Sequence, residues 1–223
     1  MRDAVAASIG STKKVNQNGI IPKFGPPVMA TRRLVTTYGA IAFLAVESAS
    51  VRADPEVQSI AIATGVVVLA SLLADLPQHE EPDSIALEVG RFDPIKNVKQ
   101  ATTLGVEYHF DELVWWGLRP FVGGGFTSDR SAWGYGGIRY ATNWGERIVV
   151  TPSFAIGGYS RGQGKDLGDP PVIGRFGLDF EYRFDNGMRI GAGYQHMSNG
   201  KVLNQTNNPG TEVIGITFSV PIR

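Results

Sequence analysis

No cysteine occurs among the 223 residues. That absence excludes a disulfide framework, a thiolate metal site and a cysteine nucleophile together. Charge of one sign is also missing, since 21 basic residues balance 21 acidic ones. The chain therefore carries no basic footprint for nucleic acid, which is not expected as a partner. Histidine is scarce, with three in all: His79 in the "PQHEEPD" linker, His109 and His196.

Long apolar runs are few, and both lie in the first third. Residues 1–28 are polar and aperiodic. Met29 then opens "MATRRLVTTYGAIAFLAVESASVRAD", where two arginines, an apolar stretch from Leu34 to Val46 and small residues up to Ala53 have the pattern of a secretory signal peptide. Met29 is the expected start of translation, and residues 1–53 form an extension plus signal peptide. The second run, Ser59 to Leu76, is uncharged until Asp75 and nearly long enough to span a bilayer. It reads as a second signal region cleaved after Ala74, an uncleaved anchor, or a helix packed on the domain. Residues 54–82 are therefore assigned to an apolar segment and linker, and residues 83–223 to one domain.

What the chain does have is 28 glycines and 10% aromatic residues. Gly and aromatics at regular spacing mark β-barrels and propellers. From Asp83 onward the sequence predicts eight strands, at 84–93, 99–110, 113–127, 131–142, 146–159, 174–184, 187–198 and 211–222. In the sixth, Phe176, Leu178, Phe180, Tyr182 and Phe184 share one face, and Arg175, Asp179, Glu181 and Arg183 share the other. A sandwich with oily faces packed together would also show this alternation. Two features favour a membrane barrel. Aromatics rim the oily faces, at Tyr108 and Phe110, Trp115 and Trp116, and Tyr182 and Phe184. Tight turns ("DE" 111–112, "NWG" 143–145, "DNG" 185–187) also oppose long connections at 160–173 and 199–210. The expected fold is all-β, an eight-stranded antiparallel outer-membrane barrel whose inner charges pair with one another.

The most reactive stretch is "GYQHMSNGKVLNQTNNPGTEVIG", residues 193–215. Parity with Ile190, Ala192 and Tyr194 turns His196 and Ser198 outward, and parity with Ile214 and Ile216 does the same for Glu212. Residues two apart on a strand lie roughly 6 to 7 Å apart on one face, within reach of a Ser–His hydrogen bond. The three residues read either as a polar rim cluster or as Ser198 nucleophile, His196 base and Glu212 orienting group. "GQGKDLG" at 162–168 lacks the spacing of a phosphate loop and is read as an extracellular loop. Its Lys165, with Arg161 and Lys201, is expected to be solvated, or else to contact anionic lipid.

"HMSNG", "NPGTE" and the closing "FSVPI", with "ALEVGRFD", "WWGLRPFVGGG", "GYGGIRY", "TPSFAIGGY" and "GKDLG", resemble the outer-membrane lipid A 3-O-deacylases of the PagL type, also called acyloxyacyl hydrolases. The resemblance implies a bacterial outer-membrane serine esterase that removes the 3-hydroxyacyl chain from the 3-position of lipid A. In it Ser198, His196 and Glu212 form the triad, and Asn208, with Asn199 and the Gly200 N–H, forms the oxyanion hole. The acyl chain would lie along Tyr194, Ile190 and Ile214. Lipid A in lipopolysaccharide is the implied partner, no cofactor or metal is expected, and oligomeric state is open. The loop between Ser198 and Glu212 is about two residues longer than in the family, and the chain ends in Arg223 rather than an aromatic. A non-enzymatic structural or adhesive barrel and a phospholipase with the same triad are the alternatives.

Overall fold

The computed structural model describes residues 81–114, 117–168, 171–199 and 209–222. The expected signal peptide, the Ser59–Leu76 segment, Trp115, Trp116, Gly200, Lys201 and Asn208 lie outside them. Nine strand segments follow in order: β1 (Ser84–Phe92), β2 (Ala101–His109), β3 (Arg119–Thr127), β4 (Ala132–Arg139), β5 (Thr142–Trp144), β6 (Ile148–Ser160), β7 (Val172–Arg183), β8 (Arg189–Ser198) and β9 (Thr211–Pro221). Each pairs antiparallel with its neighbour, and β1 pairs with β9, so the sheet closes on itself. β4 and β5 are halves of one barrel strand. They hold the same register on β6, and the ladder lapses only at Tyr140 and Ala141, opposite Pro152, which has no N–H to give. The closed barrel thus has eight strands, as the alternation predicts.

The register also fixes the tilt. Passing from partner to partner, Ser84 leads through His109, Phe121, Gly137, Ala155, Arg175 and Met197 to Thr211, whereas Ser84 pairs directly with Pro221. The ten-residue offset between Thr211 and Pro221 is the barrel's shear. With eight strands it sets a tilt of about 40°, within the usual range for outer-membrane barrels. Each step from β8 to β9 to β1 along one row of partners therefore climbs about 3 Å toward the outer rim.

Two sequence expectations fail locally. Strand three begins at Arg119 rather than 113, so the connection after β2 runs from 110 to 118 and is no tight "DE" turn. Gly117, at φ 85°, bends the chain into the bridge at Leu118, and Asp111 N–H is taken by Asp83. The "NWG" turn is likewise displaced. Asn143 and Trp144 still pair with β6, and the reversal falls at 145–147 with Gly145 at φ 82°.

The lumen is filled in layers. At the outer end Phe92, Trp133, Tyr159, Leu167, Ile173, Met197 and Val213 form an apolar cluster, with Phe92 stacked on Tyr159 at 6.3 Å. Below it Arg175 bonds Glu107 at 2.7 Å, Gln195 at 2.9 Å and Ser153 at 3.1 Å, and lies over the Tyr135 ring. His109 joins this layer through Glu107 at 2.7 Å. At the inner end Glu81, just before β1, reaches Arg139 at 2.8 Å and Arg189 at 2.5 Å. Burial pushes the Glu81 carboxyl up, but Arg139 and Arg189 outweigh it and hold it at about 2. Glu81 is therefore part of the packed barrel, two residues upstream of the boundary read from sequence. The cavity left in the central layer is about 30 Å³, room for one or two waters and not for a channel.

Candidate functional site

β8 and β9 carry the candidate residues because their ends are pinned from inside. Met197 and Val213 are fully buried in the apolar cluster. Since side chains alternate, their neighbours His196, Ser198 and Glu212 face outward. His196 pairs directly with Glu212 across the ladder, and Nδ1 stands 3.3 Å from Oε1. Ser198 follows on the same face, paired with Gly174 of β7.

Outward does not mean exposed here. Further down the same strand faces, Ile190 is 44% exposed and Ile214 43%, whereas His196 is 1% exposed and Glu212 is 0%. A plain polar rim would be wet. Among the described residues neither imidazole nitrogen and neither Glu212 oxygen has an aligned hydrogen-bond partner, so the pair is a buried acid and base facing one another.

Three neighbours were invisible in the sequence as site residues. Gly210 lies against His196 and Ser198: a Cβ there would come within 2.8 Å of His196 Cε1, 3.0 Å of Nε2 and 3.3 Å of Ser198 Cβ. Phe176 pairs with His196 on the β7 side and packs against Phe154 with ring centroids 5.0 Å apart. Asp93 donates its N–H to the Glu212 carbonyl at 2.7 Å. A "PG" in a loop and one Phe among many give no chemical signal before the register is known.

Asn199 is buried and donates its amide to the Leu167 carbonyl at 2.9 Å. Leu167 follows β6, where Gly164, Lys165 and Leu167 are buried at the mouth while residues 161–163 and Asp166 stand in solvent. Lys165 is paired with Asp93, whose carboxylate also accepts from Val98 N at 2.8 Å and Lys99 N at 2.9 Å. Burial pushes the Asp93 carboxyl up, but Lys165 and these amides hold it below the ordinary range. Lys165 is thus neither solvated nor free for a lipid, because its charge serves Asp93. Tyr194 and Ile214 form the next outward row below the His196–Glu212 pair. Ile190 lies eight residues from Ser198, about 26 Å down the strand, and does not share that region.

Known proteins resemble this chain. The family model described as Lipid A 3-O-deacylase (PagL) matches residues 102–221, more than half of the chain. No curated protein matches. Among solved structures, the crystal structure of the outer membrane enzyme PagL is similar at 18% identity and TM-score 0.48, covering 62% of this chain and 99% of that one. A de novo designed transmembrane β-barrel aligns at 12% identity and TM-score 0.43, covering 64% of this chain and all of that one. The N-terminal barrel domain of Pseudomonas aeruginosa OprF aligns at 10% identity and TM-score 0.45, with the same coverage. On the family match, this chain belongs to the lipid A 3-O-deacylase (PagL) family of outer-membrane β-barrel enzymes.

Proposed function

We propose that this lipid A deacylase works as a serine esterase through Ser198, His196 and Glu212. The carrying observation is the His196–Glu212 pair, turned to the lipid side yet closed from solvent, with Ser198 next on the same face. Family membership removes the non-enzymatic barrel as a reading.

In the first half-reaction Ser198 Oγ attacks the carbonyl carbon of the ester at the 3-position, and its proton passes to His196 Nε2. Glu212, at Nδ1, stabilises the imidazolium without taking the proton. Charge gathers on the former carbonyl oxygen, where donors count most because they are fixed before charge develops. We assign these donors to the Asn208 side chain and the main-chain N–H groups of Asn199 and Gly200; the Asn199 carboxamide is already engaged with Leu167. The tetrahedral intermediate collapses, and the sugar oxygen leaves with the proton from His196. Water, deprotonated by His196, then releases the 3-hydroxy acid from Ser198.

An outward site suits this substrate. The acyl chain stays in the lipid phase and lies against Tyr194 and Ile214, while Ile190 is too deep to meet the reacting end.

A serine-reactive fluorophosphonate tests the nucleophile directly. Labelling of the folded barrel at Ser198, lost in His196→Ala, is the expected result. Labelling elsewhere, or equal labelling of the His196 variant, would refute the assignment.

A further inference from the structure

The outward column of β1 runs Ile85, Leu87, Val89 and then Arg91. The three aliphatic side chains are 41%, 49% and 56% exposed, as lipid-facing residues should be. Arg91 continues their parity, because Phe92 beside it is fully buried in the apolar cluster. It is exposed and has no hydrogen-bond or ion-pair partner among the described residues. A guanidinium in that position is costly in hydrocarbon unless it stands near the headgroups or finds an anion.

Its position relative to the site follows from the register. Arg91 pairs with Ile214, and Ile214 with Tyr194. Climbing about 3 Å per strand along this row raises Arg91 about 6 Å above Tyr194, to the level of His196. The backbone separation from His196, two strands across and two residues along, is about 12 Å. An extended arginine covers about half of that, so its guanidinium can reach to within about one sugar ring of the triad. Ile214 lies between them, on the path assigned to the acyl chain.

We propose that Arg91 binds a phosphate of the substrate and sets the sugar so that its 3-position ester meets Ser198. This rests on the esterase reading above. The chemistry fits: the planar guanidinium takes phosphate oxygens bidentately, and the phosphate on the first carbon of the same glucosamine is a short step from the ester. Lys165, one of three cations that the sequence offered as solvated or lipid-contacting, is committed to Asp93, and Arg161 pairs with Asp166. Arg91 is a described cation on the site's own lipid-facing side.

The test measures kcat/KM for wild type, Arg91→Ala and Arg91→Lys on lipid A with and without that phosphate, in neutral detergent micelles and again with anionic phospholipid added. The expected result is a loss of roughly tenfold for Arg91→Ala on the phosphorylated substrate, a smaller loss for Arg91→Lys, and a ratio between substrates that collapses toward one in the alanine variant. Equal losses on both substrates would overturn the proposal. So would a loss that needs added phospholipid, which would assign Arg91 to bulk headgroups. Deacylation by wild type, absent in Ser198→Ala, reports on the esterase reading alone, whereas the substrate ratio reports on Arg91.

Discussion

His196 and Glu212 face each other across β8 and β9, Nδ1 3.3 Å from Oε1, on the lipid side of the barrel and both closed from solvent. In the proposed mechanism a carboxylate buried beside the imidazole lowers the energy of the imidazolium formed in the transition state. Glu212→Gln keeps the shape and removes that charge. It should lower kcat by about a thousandfold or more with little change in KM, in steady-state deacylation of micellar substrate.

Gly210 packs against His196 and Ser198. In Gly210→Ala the new methyl would press on the His196 ring, 2.8 Å from Cε1, and turn it from Ser198. The barrel should still fold, judged by its circular dichroism, while kcat falls at least tenfold. Unchanged kcat would mean that the loop does not seat the imidazole.

The inner end makes a stability prediction. Glu81→Gln removes the carboxylate shared by Arg139 and Arg189, leaving Arg189 only Glu181 at 3.6 Å, so unfolding should become easier by about 3–5 kcal/mol, read from denaturant titration. The sign with pH follows from the lowered value. Folded Glu81 titrates at about 2 against 4.5 unfolded, so its contribution is complete above pH 4.5 and is lost as pH falls toward 2. The glutamine variant should lack that part of the acid sensitivity.

At the outer mouth, Lys165→Met leaves Asp93 buried without its cation and loosens residues 161–168. Arg161, already exposed in that segment, should then be cut faster by trypsin, as seen by the fragment masses. Because Asn199 is tied to Leu167 in the same segment, activity should fall as well.

Much of this molecule is legible before any coordinates. Alternation over Phe176 to Phe184 is enough for a two-faced strand, aromatic rims and unequal loops point to a barrel, and the same kind of parity puts Ser198, His196 and Glu212 on one face. What stayed hidden depends on register and return paths. Pro152 interrupts a ladder only once Tyr140 is known to lie opposite. Lys165 and Leu167 look like loop residues because nothing local says that the segment turns inward. Arg91 looks like one more charge at a strand end until Ile214 and Tyr194 are found beside it. Ile190 shares the right face, but parity carries no depth.

The most direct measurement is the mass of lipid A from cells producing wild type or Ser198→Ala at equal folded levels. Loss of one 3-hydroxyacyl chain with wild type and an unmodified lipid A with the alanine variant is the predicted result. The same loss with Ser198→Ala would contradict the serine mechanism.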